Sequence, residues 1–225
     1  MQRILLALAL ISATSGAALA QTAPSAAEIA RYDGLHRAAH LDDVAAIRSL
    51  LATGADPDQR DAAGRTPAHV AAFASNDSAL QALAEGGADM NALENQVYDV
   101  LTIAAVADDP EMVSLAMKLG NRPDLVTSVY DGTALIAAAH LGHAEVVRRL
   151  IDGGAPLDHV NNLGWTALIE AVVLGDGGKA HVDTARALVE AGADVTIADR
   201  EGVTPLQHAE ARGYLEMVSI LNKAK

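Results

Sequence analysis

Glutamate beside histidine is the pairing in this sequence with the clearest chemical use. Glu170 and His208 hold the same place in two successive copies of a repeated segment, with His140 one copy earlier. Such a pair can move a proton as general acid and base, or offer two ligands to zinc. Stacking of repeats also brings such pairs together as a partly exposed ion pair worth little. An ion pair or a recognition contact is the reading adopted, because every other chemical motif lacks a part. His36 and His40 have His-x-x-x-His spacing, yet Arg37 stands where a zinc protease needs its glutamate. Gly175-Asp176-Gly177-Gly178-Lys179-Ala180 supplies glycines and a lysine, but its spacing is not that of a phosphate loop and no buried strand precedes it. No dense Asp-x-Asp-x-Asp-Gly run points to calcium, and there is no nucleophile elbow or dinucleotide fingerprint. The chain holds no cysteine, which excludes thiolate and disulfide chemistry. The expectation is a protein without catalytic residues, metal ligands or cofactor.

The elements that position these side chains follow from one stretch, Tyr130 to Asn161. Two apolar segments are separated there by Leu141-Gly142-His143 and closed by Gly153-Gly154-Ala155, which predicts helix, tight turn, helix, loop. One such unit cannot bury its own apolar face and needs neighbours. Thr66, Asp99, Thr133, Thr166 and Thr204 open similar segments, spaced by 33, 34, 33 and 38 residues.

Gly64-Arg65-Thr66-Pro67-Ala68-His69-Val70-Ala71-Ala72 and Gly202-Val203-Thr204-Pro205-Leu206-Gln207-His208-Ala209 carry a specific resemblance. With Gly54-Ala55-Asp56, Gly87-Ala88-Asp89-Met90-Asn91 and Gly192-Ala193-Asp194, they resemble the ankyrin repeat, whose period is also about 33. Six units cover nearly all of the chain after residue 30. The resemblance implies an all-α solenoid of about six helix-turn-helix repeats with short β-hairpin-like loops. It also implies that His36 and His69 bond neighbouring backbone, and that a protein partner is held on the concave side.

The first twenty residues stand apart. Arg3 is followed by an apolar run from Ile4 to Ile11, and Ala18-Leu19-Ala20 precedes Gln21 in the form of a signal peptidase site. The run is short for a membrane span. Residues 1–20 are therefore expected to be a cleaved leader, 21–33 a lead-in with a short helix, and 34–225 the repeat domain. Gln21 in place of cysteine excludes a lipoprotein anchor. The destination is the bacterial periplasm or the outside of the cell, with no membrane insertion after cleavage. The formal charge of −13 becomes one unit more negative without Arg3, and beyond Arg148-Arg149 no basic patch offsets it, which argues against nucleic acid as a partner.

Ahead of the array, Ser25-Ala26-Ala27-Glu28 fits a capping box, so residues 25 to 32 are expected to form a short helix leading into the first repeat. The third repeat departs most from the pattern: Asp99 replaces threonine, Val100 proline, Thr102 histidine, and Gly120-Asn121-Arg122-Pro123-Asp124 replaces the usual Gly-Ala-Asp loop. Extra residues 175–180 lengthen the fifth repeat, where a longer turn between its helices is expected. His143 follows a turn glycine and is expected to bond adjacent loop backbone.

Aligned, the repeats give a row of Arg65, Tyr98, Gly132, Trp165 and Val203 and a second of Arg37, Val70, Ile103, Ala137, Glu170 and His208. A third reads His40, Phe73, Val106, His140, Val173 and Ala211. The few aromatics gather here, Phe73, Tyr98 and Trp165, with Tyr130 on the adjoining hairpin, and aromatics are what binding hot spots favour. Val70, Ile103 and Val106 either form an exposed apolar floor or pack against one another; the sequence leaves both open. Phe73, Tyr98, Ile103, Tyr130, His140, Trp165, Glu170 and His208 are the expected partner-binding residues. The leading function is a monomeric, non-enzymatic protein-interaction module. The alternatives are an inhibitor or immunity protein for one enzyme, whose basic surface its acidity would suit, and a hydrolase using Glu170, His208 and His140.

Overall fold

The computed structural model describes residues 21–224, so the leader and its cleavage lie outside the described residues. A short helix α1 (Ala26–Ile29) leads into six helix pairs: α2 (Gly34–His40) with α3 (Val44–Ala52), α4 (Pro67–Phe73) with α5 (Asp77–Glu85), and α6 (Val100–Val106) with α7 (Pro110–Lys118). The series continues with α8 (Ala134–Leu141) and α9 (Ala144–Asp152), α10 (Ala167–Val173) and α11 (Lys179–Glu190), then α12 (Pro205–Arg212) and α13 (Leu215–Lys223). Inner helices α2, α4, α6, α8, α10 and α12 stack in order, as do the outer ones. The all-α solenoid that the resemblance implies is the structure found.

Alanine sets the spacing. Ala38-Ala39, Ala71-Ala72, Ala104-Ala105 and Ala138-Ala139 are all buried, which lets inner helices approach closely. Between inner and outer layers sit wholly buried large residues such as Leu35, Leu80, Leu101, Leu135 and Leu168. Each contributes about 1.5–3 kcal/mol relative to exposure.

Polar side chains repeat the bonds between units. The imidazole Nε2 of His36 bonds the Arg65 carbonyl at 2.9 Å, and that of His69 the Tyr98 carbonyl at 3.1 Å. At the start of the outer helices, Asn76 donates to the carbonyls of Ala39 and His40, His143 bonds that of Ala105, and His181 that of His140. These are helix C-terminal carbonyls with no partner inside their own helix. His143 thus reaches back to an inner helix rather than to loop backbone. The extra residues of the fifth repeat form a loop docked under Tyr214, whose hydroxyl donates to the Gly175 carbonyl at 3.0 Å, and they lengthen α11 to 12 residues where α9 has 9.

The hairpins have their own rule. Asp61, Glu94, Asn161 and Asp199 each turn one side-chain oxygen onto the backbone N–H groups two and four residues on, at 2.8–3.1 Å. Neighbouring hairpins are joined by main-chain bonds: Asn95 N–H to the Ala63 carbonyl, Ser128 N–H to that of Val97, and Asn162 N–H to that of Tyr130. Gly64, Gly164 and Gly202 close their turns with φ of 78°, 87° and 78°, whereas Val97 fills the matching place at φ 66°. A β-branched side chain is costly there.

The lead-in is fastened to this framework. Ser25 and Glu28 make the expected capping box. Glu28 then pairs with the guanidinium of Arg65, whose Nε donates to Asp61 Oδ2 at 2.8 Å. Tyr32 donates to the same carboxylate and stacks against His36. Farther out, Arg65 Nη1 donates to the Thr22 carbonyl and Thr22 N–H to Gln96 Oε1. Arg65, aligned in the groove row by sequence, is therefore buried under residues 22–32.

Candidate functional site

The chemical pairing is real but differs from the expected one. Glu170, on α10, is buried and accepts from His140 Nδ1 on α8 at 3.1 Å and from Asn161 Nδ2 at 2.9 Å. His208 turns away to Asp199, with Nε2 2.6 Å from Oδ2. The expected Glu170–His208 pair is thus replaced by two separate pairs. The reason is the hairpin rule: Asn161 and Asp199 spend one oxygen on their own turns and hold the next inner helix with the remaining polar atom. Burial raises the Asp199 carboxyl, but hydrogen bonds from the Val203 N–H and from His208 outweigh it and leave it below the usual carboxylate range.

In chemical terms, the Glu170 carboxylate orients the His140 ring, whose side chain is 41% exposed against 4% for Glu170. The ring therefore presents Nε2 outward as an acceptor or, protonated, as a donor. The bonded neighbours of this pair include no hydroxyl or thiol that could serve as nucleophile. Among the described residues no group of three or more His, Cys, Asp or Glu is placed to hold a metal.

The expected contact residues divide by exposure. Ile103 and Val70 are each 1% exposed, so they pack into the core rather than forming a solvent-facing floor. Buried alanines let the inner helices approach closely enough to cover these two side chains, while Arg37 in the same row stays exposed. Tyr98 is buried beneath its hairpin, and burial raises its phenol pKa. Phe73 is half-buried against the core, and Trp165 is half-buried with its backbone bonded to Asn161. Tyr130, on the hairpin between α7 and α8, is exposed.

Other exposed apolar residues surround Tyr130. Val97, Val126, Val129, Val160 and Leu163 lie with it on the loops entering the third, fourth and fifth repeats, each more than a third exposed. Asparagine, aspartate and glycine are the usual occupants of such turns. Apolar residues in their place were the legible signal, one that alignment of helical positions alone passes over.

Comparison with known proteins agrees with this architecture. A family model described as ankyrin repeats (3 copies) matches residues 35–125 and 101–199, and one described as ankyrin repeats (many copies) matches 178–221. The chain is similar to the Escherichia coli K12 ankyrin repeat protein YahD, 32% identical over 82% of this chain and 92% of that protein. It is also similar to a crystallised ankyrin repeat domain of Acinetobacter baumannii, with a TM-score of 0.80 and 42% identity over 84% of this chain and 96% of that one. The ankyrin repeat protein EF0377 superimposes with a TM-score of 0.78 at 33% identity, covering 85% of this chain and 98% of its own. With the stacked pairs, the histidine bonds between units and these matches in agreement, the chain belongs to the ankyrin-repeat family.

Proposed function

We propose that this protein-protein interaction module works outside the cytoplasm, gripping another protein with the hairpin tips and adjoining inner-helix residues of its middle repeats. The observation that carries this reading is Val97. A β-branched residue at φ 66° costs about 1–3 kcal/mol where the equivalent turns use glycine, and it spends that cost on an apolar side chain left in water. Val129, Tyr130, Val160 and Leu163 are exposed on the two hairpins that follow, each bonded to the one before it, and the half-buried Trp165 comes two residues after Leu163. Exposed apolar clusters of this kind mark contact with a partner. The leader-like residues 1–20 support a periplasmic or secreted location.

The test compares the wild type with a Tyr130→Ala, Leu163→Ser variant as bait in periplasmic extract, followed by titration of the purified partner against both. Loss of one stoichiometric partner from the variant, with unchanged melting, supports the proposal. Equal affinity for both overturns it. Cell fractionation, with the intact chain remaining in the cytoplasm, would sink the location. A second reading, a specific inhibitor or immunity protein, is favoured by the −13 charge, which suits a basic enzyme surface. It requires that the captured partner be an enzyme and lose activity on binding.

A further inference from the structure

Among the described residues, one buried side-chain nitrogen or oxygen lacks a hydrogen-bond partner: Nε2 of Gln21. An orphaned buried donor costs about 1–3 kcal/mol and calls for an explanation. The position suggests one. Gln21 is the residue that follows Ala18-Leu19-Ala20, and so becomes the first residue of the mature chain if the leader is removed there.

We propose that Gln21, once exposed as the N-terminus, closes to pyroglutamate, so that the mature protein begins with a neutral lactam; this rests on the leader reading above. The α-amino nitrogen attacks the side-chain carbonyl carbon Cδ, and a new C–N bond forms. The Cδ–Nε2 bond breaks, and Nε2 leaves as ammonia with a proton from the attacking amine. No oxidant, reductant or second substrate is needed. Both reacting groups belong to one residue, and closure of a five-membered ring is favoured by proximity.

Two features of the fold favour the product. The orphaned donor is the atom that departs, so the reaction removes the unsatisfied group itself. Closure also removes a positive charge from a chain end whose next carbonyl, that of Thr22, is already held by the Arg65 guanidinium. Thr22 N–H donates to Gln96 Oε1, so the closed end lies against the third hairpin. A ring there lacks the free amine that aminopeptidases require and gives the lead-in a compact, uncharged terminus.

The test is the intact mass of freshly secreted protein made from the full chain, with mapping of its first peptide. The expected species spans residues 21–225 and is lighter than the unmodified chain by one ammonia; pyroglutamyl aminopeptidase then removes its first residue. A Gln21→Asn variant, which cannot close the five-membered ring, is expected to keep a free amine and to show faster amide exchange over residues 22–32. A wild-type chain starting at Gln21 with a free amine overturns the cyclisation and leaves the leader intact as a reading. A chain that keeps residues 1–20, or is cut elsewhere, overturns the leader reading and the proposal with it.

Discussion

Arg65 and Glu28 form an ion pair across the joint between the lead-in and the second hairpin, with the Arg65 side chain only 2% exposed and Glu28 39%. Hydrogen bonds from the Ser25 side chain and backbone, and from Arg65, hold the Glu28 carboxyl down at about 2. Arg65→Met leaves Asp61 and Glu28 without their cation. Its expected cost is roughly 2–3 kcal/mol, below the ~3–5 kcal/mol of a wholly buried pair because Glu28 is half in water. Chemical denaturation gives the loss, and hydrogen exchange should show residues 26–32 opening first. Because the folded carboxyl titrates lower than the unfolded one, the contribution of Glu28 is complete above the ordinary carboxylate range and is lost as the pH falls towards 2.

His69 sets a second pH window. Its Nδ1 accepts the Thr66 N–H at 3.1 Å, which leaves the proton on Nε2 to donate to the Tyr98 carbonyl, and burial lowers the ring to about 4. A depressed histidine binds its proton more readily when unfolded, so stability is expected to fall as the pH drops from 6.5 to 4, by at most about 3 kcal/mol. Gln207 in the sixth repeat already caps its threonine N–H with an amide oxygen at 2.8 Å. His69→Gln should therefore fold and flatten this slope; an unchanged urea midpoint profile between wild type and variant would show that His69 does not carry it.

Asp99 works in the opposite direction. It stands in place of a threonine, 1% exposed, and accepts from Thr102 N–H and Asn121 Nδ2 with no cation in contact. Burial raises its pKa despite those bonds. The folded state then resists ionisation, and the wild type should lose stability relative to Asp99→Thr as the pH rises through 3.8. Urea melts of the two proteins at pH 3.5 and pH 7 measure this. A stability difference that is the same at both would count against a raised Asp99.

Val97→Gly separates stability from binding. Glycine relieves the φ of 66°, and the variant is expected to be more stable by about 1 kcal/mol. The same change deletes an exposed apolar contact, so affinity for the partner should fall. Tighter binding by the stabilised variant would reject the hairpin surface.

Much of this architecture was legible in the sequence. The spacing of the threonines gave the stacked pairs, and Ser25 with Glu28 gave the first helix cap. His36 and His69 bond backbone in the next unit as the resemblance implied. The site was harder to read, because lateral contacts depend on the gap between repeats rather than on the period. Glu170 and His208 share a register, yet each side chain is claimed by a nearer group, His140 with Asn161 in one case and Asp199 in the other. Ile103 is covered, in an array whose inner helices carry buried alanine pairs. The burial of Arg65 depends on the path of residues 22–32, which lie outside the repeat and follow no register.

The main-chain links between hairpins stop short of the last one. Asn95, Ser128 and Asn162 each donate a backbone N–H to the preceding finger, but the sixth is tied to the fifth by the Arg200 guanidinium on the Asn162 carbonyl. Pulled from its C-terminus, the molecule should peel from that end. The sixth unit would detach at the lowest force and leave the five before it standing.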